Sequence, residues 1–272
     1  MPEVDLKPIS TDARTRTQFC VMTYNVGNGL ATPERLIPLL QSCGADLIGL
    51  QELSMHQADA IRYKLNKVYP HQALFPGSFT VSFEGKGILS RYPIHSVEQL
   101  HLYPSRPDLK GIVEIDGLSL GVVVAHPPPP RPRIFGISFD PQTKTQISTL
   151  IKKAIASPAA VLLGDLNTSE RTETYTELLE AGLKDAFRSA GVGAGHTLPV
   201  RLGPWRRFQV IHRMIRWMPL LPFIRVDYIW YTNALTALAA WLGEDAGSDH
   251  LPVLARLAFD GSPEVFKETP RD

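Results

Sequence analysis

The chain alternates short runs that are apolar on both faces with polar punctuation. Residues 19–24, 46–51, 159–163 and 226–231 are such runs, the pattern of strands covered on both sides. Residues 79–83, 87–90 and 252–259 read as further strands. Residues 112–115 and 118–125 flank Asp116-Gly117, a two-residue hairpin signal. Helical periodicity follows Thr32-Pro33, with Thr32 as cap and Leu36, Ile37, Leu39 and Leu40 on one face before Gly44. It recurs over 57–68, 143–156 and 172–181, the last stopped by Gly182. Strands come in pairs and runs instead of alternating strictly with helices. That argues against a simple doubly wound sheet and predicts an α/β fold of two packed sheets with helices on their outer faces. Residues 1–18 read as a loose arm, 19–260 as one domain with an insertion over 200–224, and 261–272 as a tail.

Composition narrows the classes. With 272 residues, 44% of them apolar, the chain can bury a core and is not a disordered segment. It has 28 Lys+Arg against 27 Asp+Glu, a net charge of +1, which excludes a uniformly basic nucleic-acid coat. Cys20 and Cys43 are its two cysteines, so neither a disulfide framework nor a cysteine-based structural zinc site is expected. The first residues lack the apolar core of a signal peptide, and no stretch is apolar enough to span a bilayer. The expected location is the cytoplasm, with a peripheral membrane role open.

Polar residues gather where the apolar runs end. Asn25, Glu52, His126, Asp165, Asn167, Asp227, Asp249 and His250 all stand at or beside predicted strand ends, where rigid scaffolds place reactive groups. Each has a plain structural alternative: a turn for Asn25, a solvated loop for Glu52 or His126, a turn or helix cap for Asp165 and Asn167. Asp227 is different, because a carboxylate between Val226 and Tyr228 needs a partner to offset its desolvation. Carboxylates, amides and imidazoles without thiolates suit a hard cation, Mg²⁺ or Mn²⁺, better than zinc. Such a cation suits phosphate chemistry.

Six segments occur in order: Met22-Thr23-Tyr24-Asn25-Val26, Gly49-Leu50-Gln51-Glu52, Gly87-Ile88-Leu89-Ser90-Arg91-Tyr92-Pro93-Ile94, Gly164-Asp165-Leu166-Asn167, Arg225-Val226-Asp227-Tyr228-Ile229 and Gly247-Ser248-Asp249-His250-Leu251-Pro252-Val253. Together they resemble the signature blocks of the endonuclease/exonuclease/phosphatase superfamily, which includes deoxyribonuclease I and neutral sphingomyelinases. The resemblance implies a four-layer α/β sandwich of two mainly antiparallel sheets flanked by helices. It implies Glu52 as the principal metal ligand, Asn25 beside it, and Asp249 near the metal. It further implies that Asp165 activates the attacking water, that Asn167 hydrogen-bonds phosphoryl oxygens, and that His126 contacts the scissile phosphate. His250, held by Asp227, would stabilise charge at phosphorus. The acidic residue that some members carry two positions after the asparagine is Gly27 here. Pro127 to Pro130 replace the usual residues after the histidine. Lys86 and Arg91 lie near the expected phosphate path, where either is a candidate substrate contact; a solvated surface charge is the favoured reading for Lys86.

From Ala186 to Val226 there are seven arginines and no acid, which leaves the rest of the chain at −6. Placed on a helix, 208–218 puts His212, Arg213 and Arg216 on a narrow basic face opposite Phe208, Ile211, Ile215 and Trp217. That is the pattern of an interfacial helix, and Trp205, Arg213 and Trp217 become candidate substrate contacts. Packing on the protein body or in an oligomer interface is the structural alternative. The expected function is metal-dependent hydrolysis of a lipid-linked or membrane-associated phosphate ester, with membrane contact through 204–223 and no protein partner implied. A nuclease acting on DNA or RNA is the alternative, and a non-catalytic binding protein on the same fold the third reading.

Overall fold

The computed structural model describes residues 16–77, 83–133, 136–201 and 220–260. The predicted helix over 208–218, Trp205, Arg213, Trp217 and most of the predicted 79–83 strand lie outside the described residues; Phe83 itself stands in a turn.

In chain order the elements are β1 (Gln18–Asn25), α1 (Pro33–Ser42), β2 (Leu47–Gln51), α2 (Met55–Lys64), β3 (His71–Phe75), β4 (Lys86–Ser90), β5 (Ile94–Leu100), β6 (Asp108–Ile115) and β7 (Leu118–Ala125). They continue as β8 (Arg131–Arg133), β9 (Gly136–Ser138), α3 (Pro141–Ile155), β10 (Ala160–Asp165), α4 (Glu173–Glu180), β11 (Lys184–Asp185), α5 (Ala186–Ala190), β12 (Asp227–Tyr231), β13 (Leu235–Leu242) and β14 (Val253–Phe259). One six-stranded sheet has the order β13-β14-β1-β2-β4-β3, the other β11-β12-β10-β7-β6-β5, and β8 and β9 form a small ribbon. The pairs β1–β2 and β7–β10 are parallel and the other neighbours antiparallel. The expected α/β sandwich is therefore the observed one.

The pleat sorts each strand into an inward and an outward set, because successive side chains point to opposite faces. Phe19 and Val21 of β1, Val122 and Val124 of β7, Val161 and Leu163 of β10, and Ile229 and Tyr231 of β12 meet between the two sheets. The alternate residues Met22, Tyr24, Ile48 and Leu50 pack under α1 and α2. Leu162, Val123, Tyr228 and Trp230 pack under α3 and α4. Helices cover both outer faces, which explains the runs that are apolar on both sides.

Helix starts follow local chemistry. Ser54 and Gln57 form a reciprocal capping box at α2, and Asp140 and Thr172 accept backbone N–H bonds at the starts of α3 and α4. Thr32 corrects an expectation: it occupies the cap position of α1 but its side chain makes no capping bond. Asp116 and Gly117 both have positive φ, 50° and 82°, as a primed hairpin turn requires.

Gly164 lets β7 and β10 approach closely just below Asp165. A Cβ there would lie 2.0 Å from the Ala125 carbonyl oxygen, so backbone would have to move. Gly164→Ala is expected to lower stability by about 1–3 kcal/mol through overpacking, read as a lower urea midpoint. An unchanged midpoint would show that the pair of strands can spread.

Candidate active site

Continuing the inward pleat past the apolar core leads to polar residues. Thr23 and Asn25 extend the inward set of β1, Gln51 that of β2, and Asp165 that of β10; Asp227 opens that of β12, and His126 follows the last residue of β7. These groups are all buried. The site is the end of the inter-sheet core where the strands run out. Thr23 and Gln51 hydrogen-bond each other there through Nε2 at 3.1 Å, closing the apolar core below the reactive groups.

Above them the carboxylates and imidazoles form one connected cluster. The Asn25 amide nitrogen donates to Glu52 Oε1 at 3.2 Å and to Asp165 Oδ2 at 3.1 Å. Its carbonyl oxygen accepts the Gly27 N–H at 3.0 Å, which fixes the amide with its NH₂ toward the carboxylates. Asp165 Oδ1 accepts the Asn167 N–H at 2.9 Å. His126 Nε2 stands 3.3 Å from Asp165 Oδ2 and 3.7 Å from Glu52 Oε1. His250 Nδ1 lies 2.8 Å from Asp227 Oδ2, with Nε2 3.7 Å from Asp165 Oδ2. Glu52 and Asn167 both adopt left-handed backbone, with φ of 54° and 50°, a conformation non-glycine residues hold only when their surroundings impose it.

Burial and neighbouring charge divide the titratable groups. Burial opposes the charged His250, but Asp227, Asp165 and Asp249 outweigh it and hold its pKa well above the ordinary value. Burial also acts against ionised Asp165, yet His250 and His126 keep that carboxyl below its usual range. Burial drives His126 down to about 4, so it is neutral near pH 7. Burial, reinforced by Asp249, pushes Glu52 up to about 7. The cluster thus holds one imidazolium, one neutral imidazole and an ionised carboxylate between them.

Glu52 also indicates where a cation belongs. Its side chain is only 15% exposed and its nearest imidazole is the neutral His126. Ionising a carboxylate so buried beside Asp249 is costly, and the oxygen donors of Glu52 and Asp249 fit a hard divalent ion. Asp165, Asp227 and His250 also lie within 4.8 Å of one another. That trio does not suit a metal, because a protonated imidazole has no free lone pair and Asp227 already holds its Nδ1.

Other expected contacts divide. Asp249 acts electrostatically on Glu52 and accepts from Ser248 Oγ at 3.3 Å. Asn167 gives an amide hydrogen to the Pro127 carbonyl at 3.0 Å, so the proline run fixes this side chain. Arg91 requires a correction. β4 pairs antiparallel to β2, with Lys86 opposite Gln51 beside the site and Ser90 opposite Leu47 at the far end. Arg91 follows Ser90 and pairs with Asp46 at 3.3 Å, so it cannot serve the cluster. Lys86 requires the opposite correction: it is 1% exposed, not solvated. The sequence reading also missed Arg106 and Asp108. Arg106 Nη1 is 3.5 Å from His126 Nε2, and its guanidinium lies over the Phe83 ring at 4.5 Å. Asp108 accepts the His126 N–H at 3.0 Å and the Gln146 amide at 2.7 Å. Alternation with the apolar Ile88 was the available signal for Lys86, whereas Arg106 lies in a loop without periodicity.

Two facing mixed sheets that carry a carboxylate–imidazole cluster at their strand ends define the class of deoxyribonuclease I-like phosphoesterases. The chain belongs to the Endonuclease/Exonuclease/phosphatase family, whose sequence model matches residues 22–250. It is thus a phosphoester hydrolase, and the family is generally dependent on a divalent metal. Similar solved structures share the fold. The family protein from Beutenbergia cavernae DSM 12333 superposes with a TM-score of 0.65 at 20% identity, covering 92% of this chain and 73% of that one. Truncated Caenorhabditis elegans TDP2 gives 0.62 at 18% identity, covering 89% and 98%. D. rerio TDP2 complexed with single strand DNA product gives 0.64 at 17% identity, covering 89% and 99%. No curated protein sequence is significantly similar to the chain.

Proposed function

We propose that the chain is a Mg²⁺- or Mn²⁺-dependent hydrolase of a lipid-linked or membrane-associated phosphate ester, which it cleaves by direct in-line attack of water. The observation that carries the substrate reading is the apolar exposure beside the site. Leu221 and Phe223 are 90% and 71% exposed. Their segment is fastened to the catalytic loop: Leu220 N bonds Val200 O at 2.7 Å, and Val200 N bonds Asp249 O at 2.8 Å. Large apolar side chains held open there suit an apolar surface that presents the phosphate. The run of arginines and aromatics over 186–226 extends the same character.

Glu52 and Asp249 would hold the cation, which supplies charge neutralisation on the phosphoryl oxygens. Asp165, ionised and directed by Asn25 and Asn167, takes a proton from the attacking water. The water oxygen bonds to phosphorus as the ester oxygen departs on the opposite side. His250, as an imidazolium, stabilises the charge that accumulates on the phosphoryl oxygens. His126, neutral, orders the face opposite His250. No covalent enzyme intermediate forms.

A nuclease is the second reading, favoured by the relative whose complex holds a single strand DNA product. Parallel assays separate the two: liposomes carrying a phospholipid or a prenyl phosphate, plasmid DNA and abasic DNA, each with Mg²⁺ and with EDTA. Release of phosphate or headgroup from liposomes, lost in EDTA, is expected. Plasmid nicking without action on liposomes would overturn the lipid reading, and full activity in EDTA would overturn the metal.

A further inference from the structure

Lys86 lies where a lysine should not rest without a ligand. In β4 the inward residue Ile88 packs between the sheets, so Lys86, two residues earlier, points into the same gap at the catalytic end. A lysine at a strand end normally extends its ammonium to water. Here the residue is 1% exposed, and Nζ has no hydrogen-bond partner among the described residues. Burying such a group unpaired is strongly unfavourable.

Its surroundings show what is lacking. Asp108, Arg106 and Glu52 are the charges that act on it most strongly. Asp108 already accepts from the His126 backbone and from Gln146, and Glu52 faces Asn25 and the cation side. Arg106 adds a second positive charge, set against an aromatic ring and a neutral imidazole, and His126 Nδ1 is a further buried atom without a partner among the described residues. Two neighbouring cations repel, and Asp108, the buried carboxylate that acts on both, offsets only one of them. This pair flanks the cluster on the β4–β6 side, across from His250.

We propose that Lys86 and Arg106 form an anion subsite for the second negative charge of a terminal phosphate, so that the enzyme favours a phosphoryl dianion over an internal phosphodiester. The inference rests on the phosphoester hydrolysis proposed above and adds the ester class. A diester carries one charge, which the cation and His250 already oppose. A terminal phosphate, whether a monoester or the end of a diphosphate, carries a second charge near neutral pH. Lys86 and Arg106 meet that charge with the one positive charge that Asp108 leaves unopposed.

The test compares 4-nitrophenyl phosphate with bis(4-nitrophenyl) phosphate for wild type, Lys86→Met, Lys86→Arg and Arg106→Gln, with Mg²⁺ near neutral pH. Wild type is expected to prefer the monoester. Lys86→Met should lose more kcat/KM on the monoester than on the diester by about tenfold or more, as expected for a lost charged hydrogen bond. Arg106→Gln, at a half-buried loop position, should shift the ratio the same way, and Lys86→Arg should retain most of the preference. Equal losses on both substrates, or a wild type that prefers the diester, would overturn the subsite. Titration calorimetry with inorganic phosphate gives a readout independent of turnover: equal affinity in wild type and Lys86→Met would also overturn it. Metal-dependent diester cleavage that persists with an unchanged ratio refutes the subsite alone, whereas hydrolysis insensitive to EDTA refutes the underlying reaction.

Discussion

Asp165→Asn is expected to lower kcat by about 10²–10⁴-fold, the range for removal of a general base, with little change in KM. Geometry places this carboxylate at the centre of the cluster. It accepts from Asn25 and from the Asn167 backbone at 3.1 and 2.9 Å, and stands within 3.7 Å of His250. Asparagine keeps the size and one acceptor oxygen, so the hydrogen bond from the Asn167 backbone survives while the basic oxygen is lost. Its ionised state is secured by His250 and His126 in spite of burial, so a base is ready at neutral pH. A change in kcat of less than about tenfold, well short of the loss expected for a general base, would mean that proton removal lies elsewhere. Circular dichroism and the thermal midpoint should stay near those of wild type, which separates loss of chemistry from loss of fold.

Much of this site was legible because reactive groups and core residues share one strand phase. Leu163 and Asp165, or Ile229 and Asp227, obey the same alternation, so a buried strand that ends in a carboxylate announces where that carboxylate points. In the two six-stranded sheets the strands that escaped the sequence reading were β3, β5, β11 and β13, which are their edges; the small β8–β9 ribbon escaped as well. Edge strands are covered less completely: β5 is exposed or half-exposed over most of its length, and β3 is half-buried throughout. The patterns of β3 and β5 lack the continuous apolar run of β1 or β10, and β11 is two residues long; β13 does carry an apolar run, Ala237 to Leu242, but most of it is only half-buried. Lys86 was misjudged for a related reason. A lysine near a strand end ordinarily reaches solvent, and only the packing of β4 against the second sheet removes that exit. Arg91 shows the limit of motif proximity: it lies in the same segment as Lys86 but five residues along an extended strand, at the opposite end of the sheet.

His250→Ala should cost about 10²–10³-fold in kcat, comparable with removing a charged group that meets the transition state. The more informative partner is Asp227→Asn. Asp227 is fully buried and 2.8 Å from His250 Nδ1, and it is the strongest of the charges that raise the imidazole's pKa. Because the folded value lies above the ordinary 6.5, the stabilisation from protonated His250 is complete below that pH. It is lost only as pH rises through the elevated folded value. Catalysis that needs the imidazolium should therefore persist above neutrality in wild type and fail on an alkaline limb. Asparagine in place of Asp227 removes the attraction while preserving shape, so His250 should release its proton at lower pH. The alkaline limb of kcat/KM, and the alkaline loss of thermal stability, should both move toward neutrality. A limb that stays in place after Asp227→Asn, with activity otherwise reduced, would assign the essential acid to another group and reduce Asp227 to holding the ring in position. If the limb moves as expected, the pair acts through charge as well as orientation. The carboxylate of β12 then tunes the group that opposes negative charge at phosphorus.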